Sequence, residues 1–229
     1  MTTFVLVHGA WHGGWCWDRL VPALAAQGHR AITMDLPVSD GTATLPDYAA
    51  AVGRVVPDEP CVLVGHSMGS VVGPLVAAEH PQVQHVVFLC GVVPKLDARP
   101  WDGTPPMEAP GAFDALVKHP DGSTSWADPE AARRAFYGHC SASDAAWAFN
   151  NLRAQNGSSL WKTPYPLKAW PDARYSAISS TDDAAVTLAF SRHVCRERFD
   201  IEAIEIPGDH SPFLSDPAHL ADVLGALVR

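Results

Sequence analysis

A single serine lies between two glycines at the end of an apolar stretch, in the sequence CVLVGHSMGS that spans residues 61–70. A serine hydroxyl is a weak nucleophile until a neighbouring base removes its proton. A sharp strand-to-helix turn would expose that hydroxyl, and glycines at positions 65 and 69 leave room for such a turn. An incidental serine in a glycine-rich connection is the alternative. The apolar strand before Ser67 and the helical pattern after it favour the nucleophile.

The base that activates Ser67 is predicted to be His210. Enzymes with a serine at such a turn have the chain order Ser, acid, His. His210 lies in the sequence PGDHSPF, between a predicted strand and the final predicted helix. Six other histidines fit this role less well, because they precede the serine, adjoin it, or lie on or at the ends of predicted helices: His8, His12, His66, His80, His85 and His219.

A carboxylate is needed to hold the imidazole of His210 in the correct tautomer and to stabilise its positive charge. The sequence SAISSTDDAAV supplies two aspartates, directly after a predicted strand and one strand-helix unit before the histidine. Either aspartate could instead cap the helix that is predicted to begin near Ala184. We assign Asp182 to the catalytic triad and Asp183 to the cap.

Two backbone N–H groups are predicted to bind the oxyanion that forms when Ser67 attacks a carbonyl. One belongs to Met68, directly after the nucleophile. The other comes from the loop VHGAWHGGW after the first strand, whose glycines permit close approach of the backbone to a ligand. Ala10 is our choice for this second donor. A plain glycine turn is the alternative for this loop.

The elements that must position these residues alternate between strands and helices, which is typical of a parallel sheet built from βαβ units. The predicted strands are continuous apolar runs, as expected for a sheet that is covered on both faces. They span residues 3–7, 30–34, 61–65, 85–90, 174–180 and 201–207. The predicted helices of this alternating part span residues 17–27, 46–56, 68–80, 184–195 and 217–228.

Between residues 93 and 171 the alternation stops. Several prolines interrupt the first part of this segment, and two helices are predicted at 129–136 and 143–153. We therefore expect one structural domain, with an α/β core at 1–92 and 172–229 and an inserted lid at 93–171. The lid is rich in aromatic residues, most of which we expect to pack it onto the sheet: Trp101, Trp126, Trp147, Trp161, Trp170, Phe113, Phe136 and Phe149.

Composition excludes several classes of function. A net charge of −9 would repel nucleic acids and anionic membranes, and no apolar run approaches the roughly 20 residues of a membrane span. The five cysteines are widely spaced, and the histidines form no zinc motif. The first residues lack the basic segment of a secretion signal. We expect a cytoplasmic protein without metal or cofactor, a monomer or homodimer that acts on a small molecule.

The chain resembles the α/β-hydrolase superfamily, and more narrowly the plant-type methylesterase and hydroxynitrile lyase family with its bacterial esterase relatives. The matching segments are FVLVHGAWHGGWCW, GHR followed by MDLP, VLVGHSMGS, VVFLCGVVP, SSTDDAAV and IEAIEIPGDHSPFLSDPAHL. The resemblance implies an α/β-hydrolase fold with a mostly parallel central sheet, helices on both faces and an inserted helical lid. It also implies Ser67, Asp182 and His210 as the triad, with Ala10 and Met68 as the oxyanion donors.

Two positions distinguish the branches of this family. The resemblance implies that lyases have a threonine after the first loop histidine and a lysine after the catalytic histidine. This chain has Gly9 and Ser211 at those positions, which favours ester hydrolysis. Esterases of the family often have an apolar residue after the catalytic histidine, so Ser211 departs from that pattern too. The acyl and alcohol preferences of the family therefore cannot be assigned to this chain.

A serine carboxylesterase that acts on a small apolar or aromatic ester is the leading hypothesis. For its substrate pocket we predict Gly9, His12, Trp126, Trp147 and Ser211. A second hypothesis keeps the triad but cleaves a carbon–carbon bond, with Ser211, His12 or arginines of the lid as additional polar groups. A third is a receptor that retains the scaffold only to bind a small ligand, since a fold does not determine a function.

Overall fold

The computed structural model describes residues 1–99, 106–156, 160 and 163–229. Within these residues the strands are β1 (Thr3–Val7), β2 (Arg30–Thr33), β3 (Cys61–His66), β4 (Val83–Leu89), β5 (Leu116–Lys118), β6 (Thr124–Trp126), β7 (Arg174–Ser180) and β8 (Ile204–Ile206). Six of them form one sheet in the order β2-β1-β3-β4-β7-β8, and every pairing in it is parallel. Strands β5 and β6 form a separate antiparallel hairpin.

The α-helices of the described residues are α1 (Leu20–Ala26), α2 (Leu45–Gly53), α3 (Gly73–Glu79), α4 (Pro129–Phe136), α5 (Ala142–Asn151), α6 (Leu188–Phe199), α7 (Pro212–Ser215) and α8 (Pro217–Ala226). Two 3-10 helices, Gly14–Trp17 and Ser67–Val72, follow β1 and β3. Side-chain oxygens cap several helix starts: Ser141 accepts from the Asp144 N–H, and Asp216 accepts from the His219 N–H. Such caps satisfy N–H groups that have no partner within the helix.

Side chains of the central strands alternate between two hydrophobic cores. In β1, Phe4 and Leu6 belong to the core that contains apolar residues of α1 and α8, whereas Val5 and Val7 belong to the core that contains residues of α2, α3 and α6. Successive side chains of a strand point to opposite faces, so a strand that is covered on both faces must be apolar at every position. The sheet is therefore covered by helices on both faces, as the apolar runs predict.

All six sheet strands lie where the sequence predicts them, with shifts of a few residues at their ends. The predicted helix at 184–195 begins later, at Leu188, and the prediction was wrong here for a specific reason. The Asp183 carboxylate accepts hydrogen bonds from the N–H groups of Ala185 and Val186 and holds this stretch in a turn. The Thr187 hydroxyl then caps α6 by accepting from the Phe190 N–H.

The chain between β4 and β7, which we call the β4–β7 segment, contains the hairpin β5–β6 and the helices α4 and α5. The two helices were predicted, but the hairpin was not. Its three-residue strands are too short to show a clear alternation, and its turn contains Gly122 in the left-handed region, at φ 84°. Among the described residues, no helix combines the length and apolar character required to cross a membrane.

Candidate active site

Ser67 lies at the sharp turn that its glycines predict. Strand β3 ends at His66, and Ser67 begins the 3-10 helix with a positive φ of 52°. Such a conformation is strained for a residue with a side chain and persists only where its surroundings enforce it. A Cβ at Gly69 would lie 2.4 Å from the carbonyl oxygen of His8, so only glycine fits there. The turn therefore depends on close contact between β1 and the helix that follows Ser67.

His210 is held by a buried carboxylate. Its Nδ1 lies 2.8 Å from Oδ2 of Asp183, and the side chains of both residues are almost completely buried. A carboxylate only accepts hydrogen bonds, so Nδ1 carries the proton and Nε2 keeps a free lone pair. The backbone carbonyl of His210 also accepts a hydrogen bond from Nε2 of His66, at 2.9 Å. The imidazole is thus in the tautomer that a general base requires.

The prediction that Asp182 pairs with His210 was wrong. The carboxylate of Asp182 is 62% exposed and lies 3.3 Å from Nε2 of His139, on the surface. Asp182 lies in the turn that follows β7 and its carboxylate faces the surface, whereas the carboxylate of the next residue is buried, so a shift of one residue separates the two. The helix cap predicted at Asp183 was also wrong, because α6 begins at Leu188 and is capped by Thr187; the second oxygen of Asp183 instead accepts the N–H groups of Ala185 and Val186, at 2.8 Å each, within a turn.

Ser67 and His210 line the same cavity, which has a volume of about 400 Å³. Ala10 and Met68, the two predicted oxyanion donors, also line this cavity. Its remaining walls come from the loops after β1 and β7 and from the β4–β7 segment: Trp11, His12, Val92, Met107, Phe113, Leu116, Gly122, Thr124, Phe136, Gln155, Ala185 and Val186. Most of these side chains are apolar, and none of them carries a fixed charge.

The backbone beside Ser67 is that of Gly9 and Ala10. A Cβ at Gly9 would lie 2.8 Å from the Cβ of Ser67, so the loop after β1 passes directly against the serine. No hydrogen-bond acceptor for the Ala10 N–H is found within the described part of the chain. The Met68 N–H is at the start of a helix, where N–H groups have no partner within the helix. Both predicted donors therefore border the cavity without competing backbone acceptors from their own elements.

Two neutral histidines support this loop. His8 accepts the Leu36 N–H at Nε2 and donates from Nδ1 to the carbonyl of Gly9. His12 accepts from the Tyr137 hydroxyl at Nε2 and donates from Nδ1 to the carbonyl of Ala10. Burial lowers the pKa of His8 to about 4 and that of His12 to about 3. These imidazoles stay uncharged at neutral pH and act as fixed hydrogen-bonding groups.

The residues predicted for the substrate pocket are in different places. His12 lines the cavity and Gly9 adjoins Ser67, but Trp126, Trp147 and Ser211 do not line it. Trp126 is buried behind the cavity wall, packed against Phe136 with ring centroids 4.9 Å apart. Trp147 lies at the surface, whereas Ser211 is buried.

Trp147 is 38% exposed and packs against Trp15 on the surface, which explains its absence from the cavity. The hydroxyl of Ser211 is buried and has no hydrogen-bond partner among the described residues. Trp101 and Trp161 lie outside the described residues. Leu116 and Thr124 also line the cavity. They were not predicted to do so, because the hairpin that carries them was not predicted.

Cys90, Asp183 and His210 are the one group of possible metal ligands in the described ranges, with ligand atoms within 4.8 Å of one another. Asp183 and His210 are already bonded to each other, and burial raises the pKa of the Cys90 thiol well above its usual value. A thiol must lose its proton to bind a metal well. The donor set therefore fits a proton relay better than a metal centre.

Comparison with known proteins shows the family of the chain. The profile described as the alpha/beta hydrolase family matches residues 4–223. The chain belongs to the alpha/beta hydrolase family. This hydrolase is 29% identical to salicylic acid-binding protein 2 from Nicotiana tabacum, over 95% of this chain and 93% of the relative. It is 26% identical to a pyrethroid hydrolase from Sphingobium wenxiniae, over 98% of this chain and 86% of the relative.

Solved structures show the same fold. The structure of polyneuridine aldehyde esterase superimposes on this hydrolase with a TM-score of 0.85 and 22% identity, and the match covers 100% of both chains. A pyrethroid hydrolase from Sphingobium faniae gives a TM-score of 0.85 and 24% identity, over 99% of this chain and 96% of that chain. The central sheet and its surrounding helices are therefore those of the α/β-hydrolase fold.

Proposed function

We propose that this hydrolase cleaves carboxylic esters with small, uncharged and largely apolar or aromatic groups, through an acyl-enzyme on Ser67. The single observation that carries the proposal is the buried Asp183–His210 pair, whose imidazole borders the same cavity as the strained serine. Esterases and hydrolases of esters among the relatives, such as the probable esterase PIR7A from rice, 40% identical over 40% of this chain, support the same reaction.

Acylation begins when Nε2 of His210 accepts the proton of the Ser67 hydroxyl and the oxygen attacks the ester carbonyl. The carboxylate of Asp183 stabilises the imidazolium that forms. His210 then returns the proton to the leaving alcohol as the C–O bond breaks. In deacylation the same imidazole takes a proton from water, which attacks the acyl-enzyme and releases the acid.

The oxyanion of each tetrahedral intermediate is bound by the backbone N–H groups of Ala10 and Met68. These groups are fixed before substrate arrives, so little reorganisation is needed in the transition state. A donor of this kind contributes about 3 kcal/mol to related reactions. The helix that begins at Ser67 also directs the positive end of its dipole toward the developing charge.

The substrate class follows from the cavity walls. A volume of about 400 Å³ is within the range of small-molecule sites, and its lining is dominated by apolar and aromatic side chains. His12 offers no charge, because both of its ring nitrogens are engaged and its pKa is about 3. An ionised group on the substrate would therefore lose its hydration without gaining a partner. In this proposal the β4–β7 segment acts as the lid over the ester.

Carbon–carbon bond cleavage is less well supported by the polar groups that it would use. Ser211 does not line the cavity, and the nitrogens of His12 are bonded to Ala10 and Tyr137. A receptor without activity would have no need for the aligned and buried pair of Asp183 and His210. Ester hydrolysis uses the Asp183–His210 pair together with Ser67.

Hydrolysis of p-nitrophenyl butyrate by the wild type, Ser67→Ala and Ser211→Ala tests the proposal. We expect Ser67→Ala to lose at least about 10³-fold in kcat, because no nucleophile remains. Ser211→Ala is the matched control. It is expected to retain wild-type turnover within about threefold, since the hydroxyl that it removes lies outside the cavity and the proposed triad stays intact. A fluorophosphonate should label the wild type at Ser67 alone. Equal turnover by wild type and Ser67→Ala would exclude the mechanism.

A further inference from the structure

We propose that His8 is a positioning residue of the oxyanion hole, because its imidazole fixes the peptide group that carries the Ala10 N–H. This inference rests on the proposed function, in which that N–H binds the oxyanion. His8 directly follows β1 and is completely buried, and it does not line the cavity. Any effect of His8 on the reaction must therefore pass through the groups that it holds.

The hydrogen bonds of His8 determine its tautomer. The Leu36 N–H can only donate, and it lies 3.0 Å from Nε2, so this nitrogen is the acceptor. The proton is therefore on Nδ1, which lies 2.8 Å from the carbonyl oxygen of Gly9 and donates to it. Arg153 also directs a guanidinium nitrogen toward Nε2, at 3.5 Å, which is consistent with a lone pair there.

The carbonyl of Gly9 and the N–H of Ala10 belong to one planar peptide group. Fixing the carbonyl oxygen therefore fixes the direction of the N–H on the opposite side of the same plane. This peptide passes against the nucleophile, since a Cβ at Gly9 would lie 2.8 Å from the Cβ of Ser67. A hydrogen bond to the carbonyl also polarises the peptide and strengthens its N–H as a donor.

The following carbonyls of the loop are held by other groups. The Ala10 carbonyl accepts from His12, the Trp11 carbonyl accepts from the backbone N–H of Arg153, and the His12 carbonyl accepts from the guanidinium of Arg153. The loop is thus fixed at successive peptides by histidines of its own sequence and by Arg153 of the β4–β7 segment. Among these contacts, the His8 bond is the one made to the peptide that carries the proposed donor.

Two substitutions separate the two hydrogen bonds of His8. In His8→Asn the amide nitrogen can replace Nδ1 and donate to Gly9, but the acceptor for Leu36 is lost. In His8→Gln the amide oxygen can replace Nε2 and accept from Leu36, but the donor to Gly9 is lost. A positioning role predicts that His8→Gln lowers kcat by about ten- to a hundredfold with little change in KM, part of the loss expected for a missing oxyanion donor. His8→Asn should stay within about threefold of the wild type.

A trifluoromethyl ketone, which adds to Ser67 and places an oxyanion in the hole, gives a second readout. Its inhibition constant should rise in His8→Gln by the same factor as kcat falls. An ether of the same shape has no carbonyl and forms no oxyanion, so its inhibition constant should not change. His8→Met, which fills a similar volume without a donor, replaces His8→Gln if that variant does not fold. If neither folds, kcat and ketone affinity of His8→Asn decide the question.

Wild-type kcat and ketone affinity in a folded variant without the donor would overturn the inference. A loss in His8→Asn as large as that in the variants without the donor would also overturn it, because packing alone would then explain the effect. Failure of the proposed function gives a different result, since wild-type protein would then neither hydrolyse the ester nor form the ketone adduct.

Discussion

Replacing Asp183 by Asn changes one carboxylate oxygen to an amide nitrogen and should inactivate the enzyme without unfolding it. The remaining amide oxygen can still accept the N–H groups of Ala185 and Val186, as Oδ1 does now. The new amide nitrogen would face Nδ1 of His210 across the present 2.8 Å. Two donors cannot bond each other, so the imidazole would move its proton to Nε2 and lose its ability to accept a proton from Ser67.

The expected loss is about 10⁴-fold in kcat, which is the effect of the wrong tautomer in a related triad and corresponds to about 5 kcal/mol. Asp182→Asn is the matched control, because it makes the same chemical change one residue earlier. The Asp182 carboxylate is exposed and pairs with His139 on the surface. Such pairs contribute about 0–1 kcal/mol, so activity should change by no more than a few fold.

Steady-state hydrolysis of p-nitrophenyl butyrate, together with thermal unfolding of each variant, measures both effects. A folded Asp183→Asn variant with wild-type kcat would refute the assignment of this carboxylate to the triad. A large loss in Asp182→Asn with Asp183→Asn unaffected would restore the assignment that the sequence favours. Loss of folding in Asp183→Asn alone would contradict the expectation that the amide oxygen keeps the two backbone hydrogen bonds of Oδ1.

Three further perturbations follow from the same contacts. Acid should destabilise the fold between pH 6.5 and about 4, because the folded protein keeps His8 neutral while the unfolded chain binds a proton. Since each pH unit corresponds to about 1.4 kcal/mol, His8 alone lowers the free energy of unfolding by about 3 kcal/mol over this range, and urea unfolding at constant pH values would detect it. Gly69→Ala should lose about 3 kcal/mol or more of stability, because its Cβ would collide with a backbone carbonyl; unchanged urea midpoints would contradict this. Leu116→Ala should lower kcat/KM for apolar esters about tenfold by removing part of the cavity wall, whereas Val117→Ala, which alters an exposed neighbour, should not; equal kinetics of the two variants would contradict the assigned wall.

The sequence predicts where Ser67 and His210 lie because their positions follow from local constraints. Gly69 can only be glycine where a helix begins against the carbonyl of His8, and this requirement is visible as a glycine two residues after Ser67. His210 follows from chain order and from its place between a strand and a helix. In both cases the covalent neighbours of the residue determine where it lies at the edge of the sheet.

The acid could not be identified in the same way. Asp182 and Asp183 have the same side chain, and the choice between them depends on the direction of a single turn after β7. That direction is determined by backbone bonds, such as that from the Asp182 N–H to the carbonyl of Gly208, which join residues far apart in the sequence. A pattern of residue types carries no record of this pairing, so an error of one residue is the expected failure.

The cavity walls were missed for a different reason. The sequence indicates many aromatic side chains between β4 and β7, but size and apolarity suit a buried wall, a second layer and a surface contact equally well. Phe136 lines the cavity and Trp126 packs behind it, whereas Trp147 is partly exposed and packs against Trp15 at the surface. Only the packing of the folded β4–β7 segment separates these roles.

The surroundings of the histidines near Ser67 also explain which of them can act as the base. His8, His12 and His66 are buried, their pKa values are lowered mainly by burial, and each donates to a backbone carbonyl. A carbonyl accepts a hydrogen bond but carries no charge to neutralise a buried imidazolium, so charging any of the three is costly. His210 alone among these four donates to a buried carboxylate, that of Asp183. Low polarity around the serine therefore selects a single base among several imidazoles, and the others remain neutral supports for the backbone.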